Sequence, residues 1–234
     1  RGIVNEALMP GRLTIWVWDA KGGNDVRRAI FPGYKNRPPA PTKTYMQLDL
    51  LRQLLACTPA WQARLDNFEG DDVIAALVEH FAPSGHEIQI VTRDGDLSAL
   101  CAGRPNVRCD AAVPDVPPQL VPLYKATVGD SSDTIPGIKG FGKKSWAECD
   151  RAGLAQLLDR QDPLTAADEA RALAVGLSKG SFNWLCSREN FDQLLAMRRV
   201  IAPLPMTPDQ LSSALQQGQD NPEAREAIMR RLLM

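Results

Sequence analysis

The sequence predicts an α/β fold, a parallel sheet followed by a largely helical region, on two observations. Residues 13–18 and 88–92 are short, nearly continuous apolar runs rich in β-branched and aromatic side chains, the pattern of strands covered on both faces. Between them lie two stretches of helical length and period, residues 45–55 and 69–81, which supply the crossovers that parallel strands require. Strand, helix and strand in alternation form right-handed units whose sites gather outside the carboxyl ends of the strands. Both runs end in acids, Asp19 after the first and Asp94 and Asp96 after the second.

Taken in order, residues 1–8 read as the end of a helix stopped by Pro10 and Gly11. The first strand follows, and residues 21–43, rich in Gly, Pro and basic groups, read as loop. The helix over 45–55 and a short connection lead to the acidic helix over 69–81, broken by Pro83, Ser84 and Gly85. After the strand at 88–92, residues 107–110 add a short strand, and the prolines between 114 and 122 mark a crossing segment. A helix over 123–128 leads into a Gly- and Asp-rich stretch, and the remainder reads as mostly helical, with breaks near Pro163, Gly180, residues 203–208 and Asn221. This gives an α/β core over 1–122 and a helical subdomain over 123–234.

Composition narrows the function. A chain of 234 residues, 44% apolar, is long enough to bury one sizeable core, about 70% of its unfolded surface. Lys plus Arg is 27 against 28 for Asp plus Glu, so any nucleic-acid surface must be local. Five widely spaced cysteines without a Cys-x-x-Cys suit a reducing cytoplasm and argue against zinc ribbons and disulfide scaffolds. Two histidines leave little room for imidazole-rich metal sites or catalytic triads. With no signal peptide and no membrane-length apolar run, the expectation is a soluble protein acting away from membranes.

The acidic helix opens Phe68-Glu69-Gly70-Asp71-Asp72, three carboxylates in four positions. One reading is an acidic first turn that favours the helix dipole by roughly 0.3–1 kcal/mol. The other is a metal site, because Asp71 shares a side with Ile74 and Val78 and is expected to face the interior, where a carboxylate requires a cation or donors. Eight acids fall in four groups: Asp19; Glu69, Asp71 and Asp72; Asp94 and Asp96; Asp130 and Asp133. Each group alone also reads as a solvated strand end or helix start. Packed together they repel unless divalent ions intervene. All-oxygen ligands favour Mg²⁺ or Mn²⁺, and a pair of such ions suits phosphodiester cleavage. Gly137-Ile138-Lys139-Gly140-Phe141-Gly142-Lys143-Lys144 offers backbone amides and charge to a phosphate, or is a plain glycine-rich loop with solvated lysines. Tyr34-Lys35-Asn36-Arg37 can meet phosphate or stack on a base, or is simply a solvated loop.

The order of these motifs resembles the 5′ nuclease family, which includes phage flap endonucleases and 5′-3′ exonucleases and the 5′ nuclease domain of bacterial DNA polymerases. The matching segments are Val17-Trp18-Asp19, the Arg27 region, Tyr34 to Arg37, Phe68 to Ala75, Val91-Thr92-Arg93-Asp94-Gly95-Asp96-Leu97, and Gly129 to Asp133 running into the glycine turn. The resemblance implies a PIN-like nuclease core with a helix-three-turn-helix subdomain, and cleavage near the 5′ ends or branch points of DNA. It implies that Asp19, Glu69, Asp71, Asp72, Asp94, Asp96, Asp130 and Asp133 hold two Mg²⁺ or Mn²⁺ ions, with Asp94 and Asp96 central to catalysis. Lys35 and Arg37 are expected to engage the scissile phosphate. Arg27, Arg93, Gly137, Gly140, Gly142, Lys143 and Lys144 are expected to hold the DNA, with K⁺ at the glycine turn. The expected partner is DNA with 5′ ends or 5′ flaps, and the expected state is a monomer.

Three departures stand out. Family members carry a further strand with a metal-binding Asp ahead of a helix like residues 1–8, and this sequence does not contain it. Tyr-Lys-Asn-Arg is one residue shorter than the family's usual Tyr-Lys-x-Asn-Arg, and Arg93 and Gly95 replace more typical residues. A catalytically silent branched-DNA-binding module is therefore the alternative function. An RNA-directed PIN-like nuclease is disfavoured by the glycine turn.

Overall fold

The computed structural model describes residues 12–38 and 41–232. The helix expected over residues 1–8 lies outside them. The chain forms two compact units, the first comprising Pro38–Leu77 with the segments before Gly23 and after Leu204, the second Asn24–Arg37 and Val78–Pro203.

In the first unit, β1 (Ile15–Val17) pairs in parallel with β2 (Trp61–Ala63), with Ile15 opposite Trp61, and β2 pairs antiparallel with β5 (Leu215–Gln217). The parallel connection runs through α2 (Thr42–Ala56), which packs against α11 (Pro222–Leu232). Trp18 continues the ladder by donating its backbone N–H to Ala63 O at 3.0 Å, and its indole N–H to the Gln62 amide oxygen at 2.9 Å. β2 and β5 were not expected, because three-residue strands are too short to show a period of two. β1 is also shorter than its apolar run, and its three residues are half-buried rather than covered on both faces.

The second unit opens with α1 (Asp25–Ile30), inside the stretch read as loop. Its two arginines and flanking glycines hide it in the sequence. Helix α3 (Gly70–Phe81), whose residues through Leu77 belong to the first unit, leads to β3 (Ile88–Ile90), which pairs in parallel with β4 (Val107–Cys109), Ile88 opposite Val107. Along β3 only Ile90 is buried and Gln89 is exposed, so this strand too is covered mainly on one face. The remaining helices are α4 (Val121–Val128), α5 (Lys143–Glu148), α6 (Arg151–Leu158), α7 (Glu169–Ala174), α8 (Lys179–Cys186), α9 (Arg188–Ile201) and, in the first unit, α10 (Pro208–Ala214). Phe191, Leu194, Met197 and Val200 recur every three residues along α9 and are fully buried with Leu154, Leu157, Leu158 and Leu185. Among the described residues no helix is long and apolar enough to cross a membrane.

Within this helical core Asp168 receives two hydrogen bonds from the Arg160 guanidinium, at 2.9 and 3.1 Å, and two more from Thr165 in a reciprocal helix cap. Those donors, the guanidinium first, lower its carboxyl from 3.8 to about 2. A depressed folded value gives stability that is complete above about pH 4 and is lost as pH falls towards 2. Asp168→Ala therefore costs about 1 kcal/mol near neutrality. Urea unfolding at several pH values should show that difference shrinking only below about pH 4.

Candidate metal centre

The eight expected carboxylates divide between the units: Asp19, Glu69, Asp71 and Asp72 lie in the first, and Asp94, Asp96, Asp130 and Asp133 in the second.

In the first group, Asp19 follows β1 and is exposed, with one carboxylate oxygen accepting the Gly70 N–H at 2.8 Å. This contact ties the carboxyl end of the strand to the first turn of α3. Glu69 is buried and Asp71 half-buried. The inward-facing acid is Asp72, at 0% exposure, and not Asp71 as expected. The buried face of α3 runs through Asp72, Val73, Ala75 and Val78, about one residue's rotation from the face anticipated. Asp72 sits at the third helical position and accepts the Glu69 N–H at 3.0 Å on one oxygen, half of a capping box, while its other oxygen accepts the Leu204 N–H at 2.7 Å. Each oxygen thus receives a backbone N–H, which makes Asp72 a clamp between the first turn of α3 and the Leu204 backbone.

In the second group the acids converge. Asp94, exposed, caps the 3₁₀ turn Gly95–Cys101 by accepting the Asp96 N–H at 2.9 Å. Asp130 closes a tight loop: its backbone pairs with Ile135 in both directions at 2.8 Å, and its carboxylate accepts the N–H and O–H of Ser132 at 2.7 and 2.6 Å. One oxygen each of Asp96, Asp130 and Asp133 lies within 4.8 Å of the others.

At their centre is a residue that sequence reasoning missed. Lys125, on α4 and 5% exposed, places its ammonium 2.7 Å from Asp130 and 2.8 Å from Asp133, and in contact with Asp96. Burial works to lower this ammonium's pKa, but the charges of Asp133 and Asp96 outweigh it and hold the group above its ordinary value. For Asp130, burial is likewise outweighed, by hydrogen bonds from Lys125 and Ser132, and the carboxyl lies below its ordinary value. For Asp96 burial prevails over Lys125 and the carboxyl is raised. A lone lysine five residues ahead of Asp130 is the only signal the sequence offers.

The basic loop is fastened to the same cluster. Lys35, at φ +46°, donates its N–H to Asp133 O at 2.9 Å and holds its ammonium 3.7 Å from the Asp133 carboxylate. Thr134, at φ +56°, contacts Gly33 O through its hydroxyl, which also accepts the Asn36 N–H at 3.2 Å. Arg28 donates to the carbonyls of Tyr34 and Lys35 at 3.2 and 3.1 Å. Arg37 and Arg93 are exposed. Arg27 corrects an expectation: it is 3% exposed and donates to Val200 O at 2.8 Å and Ala202 O at 3.3 Å, capping the carboxyl end of α9 instead of reaching DNA.

In the glycine turn, Ile138 and Phe141 plug into the core, while Lys139, Gly140, Gly142, Lys143 and Lys144 are exposed. Gly142 caps α5, and Gly140 has φ +79°. Gly137, at φ +73°, passes so close to Thr127 O and Gly129 N that an added Cβ would lie 2.6 Å from each. Gly137→Ala therefore combines backbone strain with a clash against main chain, a loss of roughly 2–4 kcal/mol. In a thermal melt this should lower Tm by roughly 5–15 °C.

Comparison with known proteins places the chain. The family model described as 5′-3′ exonuclease, N-terminal resolvase-like domain, matches residues 4–115. The chain is 35% identical over 143 residues to DNA polymerase I of Caldicellulosiruptor bescii, covering 53% of this chain and 17% of that protein. It is 34% identical over 133 residues to the 5′-3′ exonuclease of Aquifex aeolicus, covering 51% and 45%.

The chain belongs to the 5′ nuclease family.

A further family relative, the thermostable DNA polymerase I of Thermus thermophilus, is 31% identical over 192 residues, covering 72% of this chain and 23% of its own. The chain thus spans less than half the length of these relatives. Among solved 5′ nuclease structures, a lysine-to-alanine mutant of T5 5′-exonuclease matches with TM-score 0.60 at 20% identity, covering 99% of this chain and 89% of that one. T5 5′-exonuclease with zinc bound matches with TM-score 0.59 at 17% identity, covering 99% and 88%. The fold is therefore the PIN-like α/β fold of these nucleases.

Proposed function

We propose that the chain is a divalent-metal-dependent 5′ nuclease that hydrolyses phosphodiester bonds near the 5′ ends or branch points of DNA, in replication and repair. The observation that carries this reading is the convergence of Asp96, Asp130 and Asp133, oxygens within 4.8 Å of one another, with Lys35 fastened beside them. That spread matches a divalent ion's oxygen shell, about 4–5 Å across, and carboxylates alone suit Mg²⁺ or Mn²⁺. The donor set therefore fits the metal once the Lys125 ammonium moves aside. T5 5′-exonuclease, of the same fold, is described with zinc ions bound.

When bound, such an ion supplies Lewis acidity and lowers the pKa of an attacking water. The chain's own residues supply position and charge. Asp94 fixes the turn that presents Asp96, and Ser132 orients Asp130. Lys35, anchored to Asp133, holds the scissile phosphate in reach of the cluster, and Arg37 extends that grip. The exposed amides and lysines from Gly137 to Lys144 hold the duplex backbone, with K⁺ at the turn, without reading bases. In this reading residues 1–122 form the nuclease core and 123–234 the DNA-gripping helical subdomain of a monomer.

The lysine seated among the carboxylates favours a second reading, a branched-DNA-binding module without turnover. Incubating the chain with a 5′-flap oligonucleotide and Mg²⁺ or Mn²⁺ decides between the two. Cutting that requires the metal supports the nuclease; salt-sensitive binding with no cutting in either ion supports the module.

A further inference from the structure

An ammonium carries three protons, and in Lys125 three carboxylates receive them: Asp96, Asp130 at 2.7 Å and Asp133 at 2.8 Å. Its side chain is 6% exposed and is delivered to the cluster by α4. Without a cation three acids this close repel one another strongly. With Lys125 in place the group carries a residual charge of −2, and Lys35 stands 3.7 Å from Asp133 as a further counter-charge. A divalent ion and this ammonium require the same oxygens.

Resting on the nuclease reading above, we propose that Lys125 is the resident counter-cation of the Asp96, Asp130 and Asp133 cluster and the positioning residue for metal entry. It holds the three carboxylates in ligand geometry when no ion is bound. A divalent ion enters by displacing it, so the lysine keeps metal affinity in this half of the acidic set low.

The test is a Mn²⁺ titration of the whole chain without DNA, read by the electron paramagnetic resonance signal of free Mn²⁺, on the parent, Lys125→Met and Lys125→Gln. The expected result is one site in each variant that binds Mn²⁺ at least about tenfold more tightly than in the parent. Adding Asp130→Asn to Lys125→Met should abolish that gain. Variants that fold only when Mn²⁺ is supplied support the same conclusion, since the ion then replaces the ammonium. Variants that bind Mn²⁺ no more tightly than the parent, or that fail to fold with and without it, overturn the proposal while leaving the nuclease reading intact. Absence of Mn²⁺ binding in parent and variants alike overturns both.

Discussion

On the proposed nuclease reading, Asp130→Asn is expected to lower cleavage of a 5′-flap oligonucleotide by roughly 100–1000-fold in saturating Mg²⁺, with little change in the folded structure. The substitution is nearly isosteric. The oxygen that accepts both donors of Ser132 can remain an acceptor, so the loop that closes on Ile135 keeps its geometry. The atom that changes is the one 2.7 Å from Lys125, where a carboxylate oxygen becomes an amide nitrogen. The cluster loses a negative charge, and a donor now points at the Lys125 ammonium. Single-turnover rates on a 5′-flap oligonucleotide, with circular dichroism as the folding control, provide the check. A rate within threefold of the parent would remove Asp130 from the chemistry.

Asp72→Ala produces the largest loss of stability, about 3–5 kcal/mol. The carboxylate is fully buried and satisfies two backbone N–H groups, those of Glu69 at 3.0 Å and Leu204 at 2.7 Å. Alanine orphans both, each at about 1–3 kcal/mol, and uncaps the first turn of α3. For a chain of this length that amounts to a fall in Tm of about 10 °C or more. The fall should be the same in EDTA and in Mn²⁺, since the two amides take no part in metal binding. Stability that is unchanged in EDTA, together with weakened Mn²⁺ binding, would instead make Asp72 a ligand.

Much of this architecture is legible in the residues themselves. The acidic start of α3, the aspartates after β1 and before the Gly95–Cys101 turn, and the glycine turn ahead of α5 all carry local signals of cap, strand end or tight backbone, and each appears where those signals place it. Other features depend on distant partners. Asp71 and Asp72 are neighbours on a helix whose burial is set by packing, and a rotation of one residue decides which faces inward. Arg27 sits among basic loop residues and looks solvated; only the open carboxyl end of α9 gives it a buried task. Lys125 is missed for the same reason, since a single lysine in Val-Pro-Leu-Tyr-Lys-Ala-Thr-Val shows no period or motif, and its meaning comes from acids 5 and 8 residues further on and from Asp96. Strands as short as β2 and β5 owe their existence to neighbours across the sheet rather than to their own three residues.

The guanidinium of Arg27 meets the carbonyl of Val200 across a sequence separation of 173 residues. On a ribosome adding about 5–20 residues per second, α1 emerges roughly 10–35 s before α9 can receive it. Through that interval this short helix lacks the seat that α9 provides, and closing so long a loop is an entropic barrier that local structure cannot lower. The amino-terminal basic segment is therefore assembled late, as the carboxyl-terminal helices complete its seat, and chain order and folding order run in opposite directions.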